Sequence, residues 1–119
     1  MTSPDIERLF PKSLDDLYEE LGRSIVAPQY PRRPSMNRRM AIQRGRAFVS
    51  EFSDRLKNEV CVRWKYCDRR NDYGNLQALA YAVSPLVSGV IGMPGSTAMI
   101  VAIIMVRVGL DKLCNCPGT

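Results

Sequence analysis

The chain of 119 residues contains no histidine. This absence removes the commonest general base, the commonest metal ligand and the one side chain that ordinarily changes charge near neutral pH. A serine or cysteine nucleophile activated by histidine therefore cannot be built within the chain. Since nothing else in the sequence points to catalysis, we predict that the protein is not an enzyme. We expect no catalytic residue, no cofactor and no small-molecule substrate.

Residues 1–25 also lack a basic start followed by an apolar run, so no secretory signal is visible. For a chain with four cysteines and no export signal, the default expectation is a cytoplasmic protein with reduced thiols. Five residues separate Cys61 from Cys67 and one separates Cys114 from Cys116, and neither spacing is that of a usual zinc knuckle. We expect four buried or free thiols and no metal site, with a zinc site and a late disulfide as the alternatives.

A convincing pair of β-strands is missing as well. The composition is 45% hydrophobic and 24% charged, which is typical of an ordinary globular protein. The chain length favours one domain with its own core. We predict a single all-α domain over residues 1–119, built as a bundle of four to five helices that ends in an apolar helical hairpin.

The N-terminal half divides into three segments. Residues 1–26 are predicted to form acidic helices, because apolar residues recur at helical spacing after a cap at Ser13. Residues 27–35 contain three prolines and read as an extended linker. Residues 36–67 are predicted to form a long basic helix, although residues 60–67 also alternate like a strand. The predicted buried stripe of this helix is Ala41, Gly45, Phe48, Phe52 and Leu56, flanked by Val49 and Val60.

The C-terminal hairpin is predicted over residues 76–113 and contains nine consecutive apolar residues, 98–106. A membrane span needs about 20 apolar residues, so the second arm is too short to cross comfortably by itself. The first arm has a single apolar stripe, which is typical of a helix that packs on protein. That stripe comprises Leu76, Leu79, Ala80, Val83, Val87, Val90 and Ile91. We therefore predict that the second arm is the central helix of the bundle.

Charge is distributed very unevenly. Residues 1–22 hold six acidic side chains against two basic ones, whereas residues 23–50 hold seven arginines and no acid. Six of these arginines fall within residues 32–46, and we predict that they form a partner-binding surface. They are Arg32, Arg33, Arg38, Arg39, Arg44 and Arg46. Arginine suits bidentate recognition of carboxylates and phosphates, so an anionic partner is expected.

These features predict a small non-catalytic adaptor that binds an acidic protein surface or self-associates, pairing the arginines with the acidic N-terminal helix of its own chain or of a copy. Two alternatives stay open. In the first, residues 76–110 insert into a membrane as a hairpin and the arginines contact anionic lipid. In the second, the arginines bind nucleic acid through its phosphates without reading the sequence. The expected location is the cytoplasm, with membrane association under the first alternative.

Overall fold

The computed structural model describes residues 4–26, 36–93 and 95–117. Within them the chain forms α-helices and no strand, which confirms the predicted all-α class. The helices are α1 (Pro4–Leu9), α2 (Leu14–Val26), α3 (Arg38–Lys57), α4 (Tyr66–Arg69), α5 (Leu76–Ile91), α6 (Gly95–Val108) and α7 (Leu110–Leu113). A π-helical turn, Asn58–Arg63, follows α3, and a 3₁₀ turn, Arg70–Asp72, follows α4. The predicted proline-rich linker, residues 27–35, lies outside the described residues.

Helix α6 is the central helix of the fold. Its residues 97–106 are all buried, as the apolar sequence of the second hairpin arm predicts. Helices α1, α2 and α5 pack around it. Within the described residues no single helix is long and apolar enough to cross a membrane. Helices α5 and α6 reach that length only as a pair, and their axes are bent by 116° at the break between them.

Helix α5 covers one side of α6 with the stripe that the sequence predicts. Its buried residues are Leu79, Ala80, Val83, Ser84, Val87 and Ile91. Three details differ from the predicted stripe. Leu76, in the first turn of the helix, is 52% exposed, and Val90 is only partly buried. Ser84, which is not in the predicted stripe, is buried. The first turn is capped by Asn75, whose side chain accepts a hydrogen bond from the Ala78 amide at 2.7 Å.

The other sides of α6 are covered by α1 and α2. Ile6 and Leu9 of α1 and Leu17 and Leu21 of α2 are fully buried. Arg107, which follows the apolar run, donates hydrogen bonds to the carbonyl oxygens of Phe10 and Lys12 at 2.6 and 3.0 Å. These carbonyls lie at the end of α1, where no further helical turn can satisfy them. Arg107 thus ties the end of α6 to the turn between α1 and α2.

Helices α2 and α3 approach each other backbone to backbone. A Cβ atom placed on Gly22 would collide with the Ala41 carbonyl, and one placed on Gly45 would collide with the Tyr18 carbonyl. Each helix therefore contributes one glycine to the crossing, and the two main chains come closer than side chains would allow. Helix α2 continues past Gly22 to Val26, and this glycine is part of the helix crossing.

The predicted long helix over residues 36–67 is interrupted. Helix α3 begins after Asn37, whose side chain accepts from the Met40 amide at 2.8 Å, and it ends at Lys57. The helical course continues through the π-helical turn to Arg63 and then breaks at Lys65, which has a φ of 59°. Of the predicted stripe, Ala41, Gly45, Leu56 and Val60 are buried, while Phe48, Val49 and Phe52 are partly buried against the core.

The helix crossing yields a stability prediction. Gly22→Ala and Gly45→Ala should each lower the free energy of unfolding by about 2 kcal/mol or more, because a carbonyl of the facing helix must move to admit the methyl group. Gly89→Ala is the matched control. It also lies within a helix, but its Cβ would meet no atom within 4 Å, so this change should stabilise the fold by up to about 1 kcal/mol.

Urea unfolding followed by circular dichroism at the helical band measures these differences. If the alanine variants at positions 22 and 45 unfold at the same urea concentration as the variant at position 89, the backbones of α2 and α3 do not approach each other this closely.

Candidate interaction surface

The crossing of α2 and α3 places acidic and basic side chains opposite each other. Arg38 donates hydrogen bonds to Asp16 at 2.9 Å and to Glu19 at 3.1 Å. Arg46 donates to Asp15 at 2.8 Å, and its guanidinium carbon lies 5.1 Å from the centre of the Tyr18 ring. These side chains are about half exposed, so each pair contributes at most about 1 kcal/mol to stability. Two of the six predicted arginines are thus engaged within the chain.

Of the remaining predicted arginines, the two that the structure describes do not lie on one patch. Arg39 and Arg44 are exposed and form no ion pair with any described residue. They are five positions apart on α3, which corresponds to about 140° around the helix axis at 3.6 residues per turn. They therefore lie on different sides of α3. Arg32 and Arg33 lie outside the described residues.

Arg39 lines a shallow groove between α2 and α3 that is open to solvent and has a volume of about 550 Å³. Its lining combines arginine, one carboxylate and an aliphatic side chain. The lining residues are Asp15, Arg38, Arg39, Ile42, Gln43 and Arg46. Such a lining offers a carboxylate-binding guanidinium at Arg39 and an apolar contact at Ile42, which is partly exposed. We call this feature the α2–α3 groove.

A second groove was not anticipated from the sequence. It encloses about 540 Å³ and is lined by Asp54, Arg55, Asn58, Glu59, Arg63, Gly89 and Val90. Arg55 spans from α3 to α5 by donating to the Val90 carbonyl at 3.0 Å, and Arg63 pairs with Glu59 at 3.5 Å. Both arginines therefore hold partners within the chain, and both signs of charge are present. This groove has no net preference for an anion.

The prediction of buried or free thiols is wrong. Disulfides join Cys61 to Cys114 and Cys67 to Cys116, and no described cysteine is free. The expectation failed because it rested on the absence of an export signal, whereas pairing depends on the fold. The fold brings the segment after α3 to the segment after α6, with Cα–Cα distances of 5.2 and 5.3 Å. The described residues contain no group of potential ligands arranged to hold a metal ion.

A buried tyrosine lies beside the disulfides. Tyr66 is 5% exposed, and its hydroxyl donates to Asp111 Oδ1 at 2.6 Å. Arg70 Nη1 lies 3.4 Å from the other oxygen of Asp111, and Arg70 Nη2 donates to the Pro117 carbonyl at 3.0 Å. Burial, and after it the hydrogen bond to Asp111, raises the pKa of Tyr66 from 10.0 to about 12, because both disfavour the phenolate.

Comparison with known proteins adds no assignment. No family model, no curated protein and no solved structure matches this chain. Any function must therefore be argued from the surface itself.

The environment of Tyr66 predicts a loss of stability in alkali. A folded pKa above the unfolded value of 10.0 means that the stabilisation is complete below pH 10 and is lost as the pH rises to about 12. Tyr66→Phe should abolish this part of the pH dependence, because phenylalanine has no proton to lose. In the folded protein, absorbance of tyrosinate at 295 nm should show a step near pH 12 that disappears in Tyr66→Phe.

Tyr81→Phe serves as the control, because Tyr81 is 53% exposed and lies on another helix. This variant should keep the step near pH 12. Loss of that step in Tyr81→Phe and its retention in Tyr66→Phe would contradict the assignment.

Proposed function

We propose that this protein is a non-catalytic interaction subunit that binds an acidic protein segment in the α2–α3 groove. The observation that carries the proposal is the position of Arg39. Its exposed guanidinium has no ion-pair partner among the described residues, and it lies in a groove beside Ile42. A carboxylate bound there would form charge-assisted hydrogen bonds, and an adjacent aliphatic side chain would cover Ile42.

The neighbouring ion pairs support a carboxylate ligand. Arg38 and Arg46, on the same groove, bind carboxylates of α2 at 2.8 to 3.1 Å. The groove thus has the geometry that arginine needs to bind carboxylate oxygens. A partner with acidic side chains would add an ion pair at Arg39 to those that Arg38 and Arg46 already form.

Two observations make the alternative functions less well supported. Arg38 and Arg46 already pair with carboxylates of α2, so Arg39 alone is left for an anion in the groove, which suits a single carboxylate beside Ile42 better than a run of phosphates. A membrane hairpin would need the apolar side chains of α6, and these are buried in the bundle. The protein-binding proposal requires no rearrangement of the described helices.

The two exposed arginines of α3 provide a matched test. A photo-crosslinking residue replaces Gln43 in the groove, and its adducts are compared in cells that make the protein with Arg39→Glu or Arg44→Glu. Both variants change the net charge equally, but only Arg39 lines the groove. Arg39→Glu should reduce the adduct about ten-fold or more, since a charge-assisted hydrogen bond contributes about 1.5 to 3 kcal/mol. Arg44→Glu should leave it within about two-fold.

The adduct should be a protein whose crosslinked peptide is rich in Asp and Glu. A crosslinking residue in place of Lys112, on α7, is the positional control and should give no such adduct. Equal loss in the two charge variants would contradict recognition by the groove. Adducts made only with nucleic acid or lipid would favour the alternative functions.

A further inference from the structure

The two disulfides constrain the same short part of the chain. Both join the segment of residues 61–67 to the segment of residues 114–116, across sequence separations of 53 and 49. None of the four bridged cysteines lies in α1, α2 or α5. Their common effect is to hold residues 110–117, which we call the C-terminal latch, against the π-helical turn and α4.

Side-chain contacts hold the C-terminal latch together with the bridges. Asp111 accepts from Tyr66 at 2.6 Å, Arg70 reaches Asp111 and the Pro117 carbonyl, and Leu110 is buried. Gly109 separates the latch from α6 with a φ of 113°, a conformation that favours glycine and breaks the helix at this point. The latch is thus a short unit joined to α6 through a glycine and held by its two bridges, by the contacts of Asp111 and by the burial of Leu110 in the core.

The bridges are placed where a thiolate can reach them. Cys61, Cys67 and Cys114 are partly exposed, and only Cys116 is buried, at 7%. Lys65 and Lys112 are exposed neighbours of these cysteines along the chain, whereas Arg63 pairs with Glu59 and the exposed Asp68 adjoins Cys67. Positive charge near a disulfide stabilises the thiolate that leaves when the bond is attacked. Lys65 and Lys112 therefore favour exchange at the bridges, and Asp68 opposes it.

Most of the bundle core is supplied by residues outside the latch, which adds Leu110 and Cys116 to it. Helix α6 is enclosed by α1, α2 and α5, and α2 packs on α3 through Gly22 and Gly45. The latch instead covers the end of the fold around Tyr66, whose hydroxyl contacts Asp111. Opening it would expose Tyr66 and Leu110, both buried in the closed form, and leave the four long helices in place.

We propose that the C-terminal latch is a redox switch, closed by the two disulfides and opened by a dithiol reductant. For each bridge, one thiolate of the reductant attacks a sulfur atom, forms a mixed disulfide and releases one cysteine thiolate, which takes up a proton. The second thiol of the reductant then displaces the other cysteine. Each bridge gains two electrons and two protons to become two thiols, and the dithiol is oxidised to its own disulfide.

Hydrogen exchange measured by mass spectrometry tests the switch on the full chain. The oxidised protein is compared with protein treated with dithiothreitol, and alkylation with iodoacetamide counts the thiols released. Reduction should release all four cysteines. It should speed exchange about ten-fold or more in residues 60–70 and 108–117, and change exchange in residues 14–26, 40–55 and 97–106 by less than about two-fold.

A variant with all four cysteines replaced by serine keeps the test decisive. Without reductant it should reproduce the exchange pattern of the reduced protein, and dithiothreitol should not change it. Three results would overturn the proposal: bridges that resist the dithiol, a reduced latch that stays protected, or loss of protection throughout the bundle. If the serine variant does not fold, the reduced wild-type chain alone decides between these results.

Discussion

Helix α6 presents apolar side chains in every direction, and the other helices are arranged so that residues 97–106 are buried. Burying one aliphatic side chain contributes about 1.5 to 3 kcal/mol, so exposing several at once would exceed the stability of a small domain. This requirement fixes the positions of α1, α2 and α5 around α6. Arg107 then ends the buried run by binding the carbonyls of Phe10 and Lys12.

The same arrangement decides which side chains remain for function. Because α2 must lie against α6, α3 packs on the opposite, acidic part of α2, and Gly22 and Gly45 bring the two backbones close. Arg38 and Arg46 then pair with carboxylates of α2. Their charges therefore contribute to the fold in addition to any contribution to ligand binding. Arg39 keeps an exposed guanidinium in the groove. The surface that we propose for partner binding is therefore smaller than the set of six arginines predicted from the sequence.

Helical periodicity was enough to predict the long helices and the central position of α6, because an apolar stripe must face the core. The angular separation of Arg39 and Arg44 also follows from sequence spacing alone. The ion pairs of Arg38 and Arg46 do not, since they require knowing that α3 crosses α2. The disulfides were missed for the same reason: residues 61 and 114 meet only in the fold. The break at Lys65 was missed because the pattern of residues 60–67 fits a helix and a strand equally well.

Helix α6 is enclosed by its own chain, and the arrangement of the other helices depends on this enclosure. The most direct measurement is amide hydrogen exchange of residues 97–106 in detergent-free buffer, with and without vesicles that contain anionic lipid. Enclosure predicts slow exchange in buffer and no further slowing when vesicles are added, because these amides are already protected within the bundle. Fast exchange in buffer that becomes slow on vesicles would contradict enclosure by the chain. In that case a membrane or another partner would be burying residues 97–106.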